Sequence, residues 1–337
     1  MNTPLLYDVT LRDGSHANQH GFTSDFCSTY IDNAYSAGIR YLEIGHGNGL
    51  GGSSLHIGRL KDPDLWQAVS DKACLYDDLR IGVHVIPGLA TFADLDIAVE
   101  KGVQVFRMAC HCTEADTTET YIEYAAQRGQ EVWGLLMMAH MIRPDHLARE
   151  AKKMESYGAS RIVFLDSAGA LTPSLVRNIT EELKSVVEVP IGFHAHNNLH
   201  AAVANSLAAL AAGCDSIDAC ARGYGAGAGN LSLEAFVALL EKDGRPTGLD
   251  VRKLTDLAAL IEVNHPSTLP KVDSLSTATG FHGVFSGFKP KIVDAANAFS
   301  VNPMDIIAAL GKAQVIAGQE DQIIATASQL ANTEHQP

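Results

Sequence analysis

The strongest constraint on the fold is a repeated alternation of short apolar runs with longer runs at helical spacing. Several of the short runs are rich in β-branched residues, which is typical of parallel strands covered on both faces. The predicted strands occupy 5–9, 41–44, 79–85, 103–109, 131–137, 161–165, 191–196 and 216–219. The predicted helices between them include 24–37, 93–101, 117–127, 144–157, 173–187 and 199–212.

Eight strand–helix units over about 240 residues match the size of a closed (β/α)₈ barrel, the TIM-barrel fold. A doubly wound open sheet is the alternative, but no Gly-x-Gly-x-x-Gly sequence follows the first strand. The Gly-rich segment 50–54 lacks the Gly-Lys-Ser/Thr ending of a phosphate-binding loop. We therefore expect an α/β protein whose barrel, at residues 1–243, is the catalytic domain.

The pattern changes after residue 243, where strand signals disappear. Helical runs at 251–263, 292–298, 303–310 and 322–330 follow a linker that contains Pro246 and Gly248. We expect a C-terminal helical domain at 250–337 that acts as a lid, a subunit interface or a partner-binding surface.

Charge and hydropathy exclude several classes of partner. The 337 residues include 39 acidic and 25 basic side chains, a net charge of −14, which disfavours nucleic acid and anionic membrane surfaces. No apolar run reaches the roughly 18 to 20 residues of a spanning helix, and the first residues lack a basic signal-peptide region. We expect a cytoplasmic protein.

Polar side chains gather where the predicted strands end, the edge of a barrel that carries active sites. The residues at these ends are Arg12, Asp13, His46, His111, His140, Asp166, Ser167, His194 and His196. The chain has 14 histidines, and independent placement would scatter them rather than bring several to one rim. We expect the active site there.

His194 and His196 form the most informative local motif. Residues two apart on a strand project from the same face, so both imidazoles can reach one ion. Taken alone, such a pair is as often a hydrogen-bonded structural pair as a metal site. Asp13 at the end of another strand adds a carboxylate, and this donor set suits Mn²⁺, Mg²⁺, Co²⁺ or Zn²⁺. We expect these three residues to bind one divalent cation.

Arg12 and His16 lie close to Asp13 in sequence. A guanidinium beside a cation can stabilise an enolate or alkoxide, although Arg12 and Asp13 could also form a surface pair in a loop. A neutral imidazole at His16 can act as general base at pH 7, and a solvated loop histidine is the alternative. Cys110-His111-Cys112 lacks a second pair at zinc-finger spacing, so we interpret its cysteines as reduced and buried.

Several segments together resemble a known enzyme family. Asp-Val-Thr-Leu-Arg-Asp-Gly-Ser-His-Ala at 8–17 is similar to the signature of the DRE-type TIM-barrel metallolyases, and more narrowly of the 4-hydroxy-2-oxovalerate aldolases. Gly-Phe-His-Ala-His-Asn-Asn-Leu at 192–199, Gly-Tyr-Gly-Ala-Gly-Ala-Gly-Asn at 223–230 and Gly-Gln-Glu-Asp at 318–321 extend the similarity over nearly the whole chain. The resemblance implies a lyase that releases pyruvate.

The resemblance also implies a ligand set. Asp13, His194 and His196 would hold a divalent metal, typically Mn²⁺, that chelates a 2-oxo acid substrate, so that Asp13 and His194 also border the substrate. An Asn in the position of Asn230 completes the metal shell in related metallolyases. The metal supplies Lewis-acid polarisation, so no lysine Schiff base is required.

For the substrate, the resemblance implies four further roles. Arg12 would bind the substrate and stabilise the pyruvate enolate, His16 would remove the 4-hydroxyl proton, and Ser167 would bind the carboxylate. Phe285 stands where the aldolases have a substrate-contacting Tyr. Because phenylalanine has no hydroxyl to donate, the usual aldehyde and stereochemical preferences are open.

Two alternatives to an aldolase remain. One is an acyl-CoA-dependent synthase or lyase of the same superfamily, and the other is a catalytically idle barrel that serves as a partner subunit. The resemblance implies an oligomer and an acylating aldehyde dehydrogenase partner, which would receive the aldehyde through a channel by way of the C-terminal helical region.

Overall fold

Eight parallel strands close into a barrel in the computed structural model, which describes residues 3–54 and 62–334. Each strand pairs with its sequence neighbours, and the eighth pairs with the first. The strands are β1 Leu5–Val9, β2 Tyr41–Ile44, β3 Arg80–Val85, β4 Val105–His111, β5 Glu131–Met137, β6 Arg161–Asp166, β7 Ile191–Ala195 and β8 Ser216–Ala219. The predicted (β/α)₈ barrel is confirmed.

Helices cover the outside of the barrel and form the C-terminal region. The helices at the barrel are α1 Thr10–Asp13, α2 Ser24–Ser36, α3 Asp62–Ala73, α4 Phe92–Glu100, α5 Glu119–Ala126, α6 Pro144–Tyr157, α7 Pro173–Val186, α8 Ala202–Ala212, α9 Leu233–Lys242 and α10 Val251–Asn264. The later helices are α11 Ser274–His282, α12 Lys289–Phe299, α13 Pro303–Lys312 and α14 Asp321–Glu334. No helix among the described residues is long and apolar enough to cross a membrane.

Helix ends follow from local chemistry. Pro144 and Pro173 occupy first-turn positions, where a missing N–H costs nothing. Gly158 and Gly213 end α6 and α8 in the left-handed region, with φ of 114° and 102°. These four residues act as helix boundaries in the positions that the sequence predicts.

Two predicted boundaries shift for local reasons. The backbone N–H of Val103 donates to the carbonyl of Ala98 at 3.0 Å, so Val103 closes α4 and β4 begins two residues later. Helix α8 begins at Ala202 rather than at 199, because the N–H of His200 donates to the carbonyl of Asn197 in a preceding turn. His200 has φ of 56°, which a helix does not accept.

The short helix α11 has a sequence that does not resemble a helix. It is rich in Ser and Thr, which compete with the backbone for hydrogen bonds and disfavour helix interiors. Its start is fixed by Asp273, whose carboxylate accepts the N–H and hydroxyl of Ser276, both at 2.9 Å. A cap and tertiary packing therefore outweigh propensity here.

The apolar core has separate parts. The main cluster fills the space between the strands and the outer helices, and it includes Leu254 and Ile261 of α10. A second cluster lies within the C-terminal helices and includes Phe288 and Ile306. Helix α10 thus packs on the barrel, while the division into 1–243 and 250–337 stays a prediction.

The inside of the barrel is closed by aromatic side chains. Tyr7 of β1 and Trp133 of β5 lie 4.8 Å apart between ring centroids, and both are fully buried. Gly82 of β3 leaves room for the phenol, because an added Cβ would lie 1.9 Å from the Tyr7 hydroxyl oxygen. Above these rings the barrel interior becomes polar.

Candidate active site

The segment after β1 turns directly into α1 and places Arg12 and Asp13 at the barrel mouth. The Asp8 carboxylate accepts the N–H of Thr10 at 2.9 Å and the hydroxyl of Tyr30 at 2.7 Å, which fixes the turn. Burial raises the pKa of Asp8 to about 6, although these hydrogen bonds oppose the shift. The turn buries Arg12 and Asp13, with 5% and 3% of their surface exposed.

The three predicted metal ligands lie together. The Asp13 Oδ2 lies 3.7 Å from Nε2 of His194 and 3.8 Å from Nε2 of His196. Their donor atoms all lie within 4.8 Å of one another, and all three side chains are buried. Within residues 3–54 and 62–334, no second group of three His, Cys, Asp or Glu side chains meets the same condition.

Each imidazole is oriented through its other nitrogen. Nδ1 of His194 donates to Asp218 Oδ2 at 3.0 Å, and Nδ1 of His196 donates to the carbonyl of Asp166 at 3.1 Å. An acceptor at Nδ1 keeps the proton there and leaves the Nε2 lone pair for a metal. Nε2 of His196 is buried without a hydrogen-bond partner.

The charge states suit metal binding. Burial raises the pKa of Asp13, but Arg12, His196 and His194 outweigh it and hold that pKa well below its ordinary range. Burial lowers the pKa of His196 from 6.5 to about 3, against the opposing effect of Asp13. At pH 7 the carboxylate is therefore ionised and the His196 imidazole is neutral, the forms that bind metals.

A chain of buried charges connects Arg12 to the back of His194. Arg12 donates from Nε to Glu43 Oε2 at 2.7 Å and from NH1 to Asp13 Oδ1 at 2.9 Å. Arg107 lies 3.2 Å from Glu43 Oε1 through NH1 and donates from NH2 to Asp218 Oδ2 at 2.5 Å. The three carboxylates outnumber the two guanidinium groups by one, an excess that a cation at Asp13 would offset.

Asn230 lies beside the three predicted ligands. Its Nδ2 donates to Asp13 Oδ2, and its Oδ1 is buried without a hydrogen-bond partner. Gly225 allows this approach, since an added Cβ there would lie 2.5 Å from the Asn230 amide. The amide thus lies beside the predicted ligands with its nitrogen toward Asp13, and its oxygen is the atom left without a partner.

His16 follows Asp13 in a short 3₁₀ turn. Its ring centroid lies 5.5 Å from that of His20, which in turn stacks on His46 at 3.6 Å. Gly47 permits the packing, because an added Cβ would lie 2.8 Å from His16 Nε2 and from the His20 ring. The predicted base is thus held among the loops after β1 and β2.

Ser167 and Phe285 lie near one another although 118 positions separate them in the sequence. The N–H of Met138 donates to Ser167 Oγ at 3.0 Å, which leaves the hydroxyl proton for another acceptor. The N–H of Ser286 donates to the carbonyl of Ser167 at 3.1 Å, so Phe285 lies next to this contact. The Phe285 ring packs edge-on against Phe288, with centroids 5.3 Å apart.

Two of the rim histidines form hydrogen bonds with other protein groups. Nε2 of His140 bonds the carbonyl of Gly283 at 3.0 Å, and Nδ1 of His111 bonds the Thr113 hydroxyl at 2.8 Å.

Burial raises the pKa of the Cys112 thiol to about 12, and that of Cys110 is raised as well. Both cysteines are buried and free of disulfides, as expected from the sequence.

Sequence reasoning missed Glu43, Arg107 and Asp218. Each is the one carboxylate or guanidinium in its strand, and the residues on either side of it are apolar and buried. An ionised side chain is rarely buried unless it is paired, so the three charges on apolar strands were a usable signal. Their pairing required the closed barrel.

Comparison with known proteins gives two family matches. The HMGL-like family model matches residues 3–261, and the model of the DmpG-like communication domain matches residues 270–332.

Curated relatives match along nearly the whole chain. The 4-hydroxy-2-oxovalerate aldolase of Burkholderia pseudomallei (strain K96243) is 45% identical over 327 residues, which cover 97% of this chain and 94% of the relative. The enzyme of that name from Carboxydothermus hydrogenoformans is 42% identical and covers 98% of both chains.

A solved structure shares the fold. The carboxyl transferase domain of Rhizobium etli pyruvate carboxylase superposes with a TM-score of 0.82 at 17% identity, over 98% of this chain and 60% of that one. At this identity the likeness concerns the fold alone.

Proposed function

The chain belongs to the 4-hydroxy-2-oxovalerate aldolase family, and from this premise we propose that it cleaves a 4-hydroxy-2-oxo acid to pyruvate and an aldehyde. It is a carbon–carbon lyase. The observation that carries the proposal is the buried group of Asp13, His194 and His196, with an unpartnered Nε2 on His196. No finding favours the acyl-CoA-dependent alternative.

Asp13, His194 and His196 would hold the divalent cation, with the Asn230 amide oxygen as a further donor. When bound, the cation polarises the 2-oxo group of the substrate as a Lewis acid. Mn²⁺ is the ion that we propose, while the carboxylate and imidazole donors also accept Mg²⁺, Co²⁺ or Zn²⁺.

Arg12 and His16 would carry the bond cleavage. His16 accepts the proton of the 4-hydroxyl as that oxygen forms the carbonyl of the departing aldehyde. The C3–C4 bond breaks, and the electron pair of this bond forms the pyruvate enolate. Arg12 keeps unused N–H donors after its bonds to Glu43 and Asp13, and these stabilise the enolate oxygen. Protonation of the enolate at C3 then gives pyruvate, and this proton balances the one that His16 took from the 4-hydroxyl.

Ser167 and Phe285 would border the substrate. The free hydroxyl proton of Ser167 suits a substrate carboxylate. Phe285 offers an apolar ring without a donor, so we propose that this enzyme discriminates less between 4-hydroxy enantiomers than relatives with a Tyr there.

A pyruvate-release assay tests the function. Metal-depleted protein should be inactive on a panel of 4-hydroxy-2-oxo acids, and added Mn²⁺ should restore activity to wild type but not to Asp13→Asn. Borohydride in the presence of substrate should trap no lysine adduct. Full activity without metal, or a trapped adduct, would refute the metal-dependent mechanism. Turnover only with acyl-CoA and a 2-oxo acid would instead favour the synthase.

We also propose a partner for the C-terminal helices. Residues 270–332 match a communication domain, which supports an acylating aldehyde dehydrogenase as the partner and transfer of the aldehyde through a channel. Co-expression should give an assembly of both chains, and separate elution on gel filtration would contradict it.

We also propose that this chain forms an oligomer and that it is cytoplasmic. Its six free cysteines favour the cytoplasmic location.

A further inference from the structure

Arg107 occupies an unusual position in the middle of β4. Its side chain is fully buried and forms ion pairs with the carboxylates of Glu43 and Asp218, which are not predicted metal ligands. NH2 donates to Asp218 Oδ2 at 2.5 Å, and NH1 lies 3.2 Å from Glu43 Oε1. Burying a guanidinium is costly unless carboxylates pair with it, so these two contacts explain why the charge is tolerated.

The two carboxylates serve different halves of the site. Asp218 accepts from Nδ1 of His194, and Glu43 accepts from Nε of Arg12. Arg107 therefore contacts both the carboxylate that orients His194, a predicted metal ligand, and the carboxylate that binds Arg12, the predicted enolate-stabilising residue. We propose that Arg107 is a positioning residue that holds His194 for the metal and Arg12 for the substrate at the same time.

Apart from the site residue that each orients, His194 for Asp218 and Arg12 for Glu43, neither carboxylate has a close charged partner besides Arg107. Asp218 Oδ1 is buried without a hydrogen-bond partner, so the carboxylate is held through Oδ2, by Arg107 and His194. Glu43 is held through Oε2 by Arg12, while its Oε1 has no hydrogen bond and lies 3.2 Å from Arg107 and 3.9 Å from the neutral His84 imidazole. Without the guanidinium, each carboxylate keeps only the site residue that it orients, so His194 and Arg12 lose the fixed side of their contacts.

A role in packing alone is the alternative. The Arg107 guanidinium lies over the Tyr7 ring at 4.5 Å and near Trp133 at 5.5 Å. Arg161, at the start of β6, stacks on the same Trp133 ring at 4.8 Å, but it is only partly buried and forms no salt bridge with Asp218 or Glu43. Arg161→Met is therefore the control for loss of a ring-stacked arginine that does not pair with these carboxylates.

The test measures Mn²⁺ affinity by calorimetry and turnover separately, on full-length protein whose folding is verified by circular dichroism. Arg107→Met should weaken Mn²⁺ binding by about 10- to 100-fold, as Asp218→Asn should, because both release His194. Glu43→Gln should lower kcat with a smaller loss of Mn²⁺ affinity, since it releases Arg12. Arg107→Met should show both defects, and Arg107→Lys, with one ammonium for two carboxylates, should recover part of each.

The outcomes separate this inference from the proposed function on which it rests. Wild-type affinity in Arg107→Met, or an equal loss in Arg161→Met, would overturn the role of Arg107. If wild-type protein binds no Mn²⁺, both the metal site and the role of Arg107 are wrong. If it binds Mn²⁺ in the predicted pattern but releases no pyruvate, the positioning role stands and the proposed reaction fails.

Discussion

The neutral state of His196 has a measurable effect on stability in the metal-free protein. The unfolded chain takes up a proton at this residue as the pH falls below 6.5, whereas the folded protein does so only near pH 3, because burial lowers the pKa. Between these values the unfolded state binds more protons. The contribution of His196 to stability is therefore complete above pH 6.5 and is lost as the pH falls toward 3.

The expected magnitude follows from these pKa values. From pH 6.5 to pH 5 the pH changes by about 1.5 units at about 1.36 kcal/mol each, so His196 should cost about 2 kcal/mol of unfolding free energy at pH 5. Asp166 acts in the opposite direction, since burial raises its pKa to about 7. The pH dependence of the unfolding free energy is the sum of such contributions from many groups. The difference between wild type and His196→Gln therefore isolates the contribution of His196.

Urea denaturation of both proteins in EDTA at pH 7 and pH 5 checks this prediction. The substitution also changes the free energy of unfolding by an amount that does not depend on pH, and this amount cancels when the two pH values are compared. Between pH 7 and pH 5, the free energy of unfolding of His196→Gln should rise by about 2 kcal/mol relative to that of wild type. His84→Gln should give a similar gain, because burial lowers the pKa of His84 to about 3 as well. A difference between wild type and His196→Gln that is equal at both pH values would refute a neutral, buried His196.

Three further predictions concern the reaction. Arg12→Lys should lower kcat by about 10² to 10³ with a smaller change in KM, because one ammonium cannot bind two carboxylates and a developing enolate together; unchanged steady-state kinetics would contradict the role of Arg12. His16→Ala should lose most turnover while calorimetry still detects Mn²⁺ binding, and wild-type turnover would remove His16 as the base. Phe285→Tyr should sharpen discrimination between 4-hydroxy enantiomers in a chiral assay, and identical enantiomer ratios in both proteins would reject the proposed position of the ring.

Local sequence patterns predict the barrel and the rim of the site well. Parallel strands buried on both faces leave apolar runs such as 131–137, and the observed β5 has the same bounds. Alternation along the predicted strand 191–196 places His194 and His196 on one face, and both approach Asp13 in the structure, although β7 itself ends at Ala195. Helix α11 could not be predicted in this way, because its stability comes from a cap and from packing rather than from its composition.

The second layer of the site could not be predicted because its partners come from strands on different sides of the barrel. Arg107 on β4 meets Asp218 on β8, although 111 positions separate them. Such a pair forms only when the barrel closes and directs both side chains inward. Sequence alone shows that an isolated charge on a buried strand needs a partner, but it does not show which of the other charged residues is that partner. The predicted ligands of this site are thus encoded locally, whereas the contacts that orient them depend on the closed fold, and variants of Arg107 measure that dependence directly.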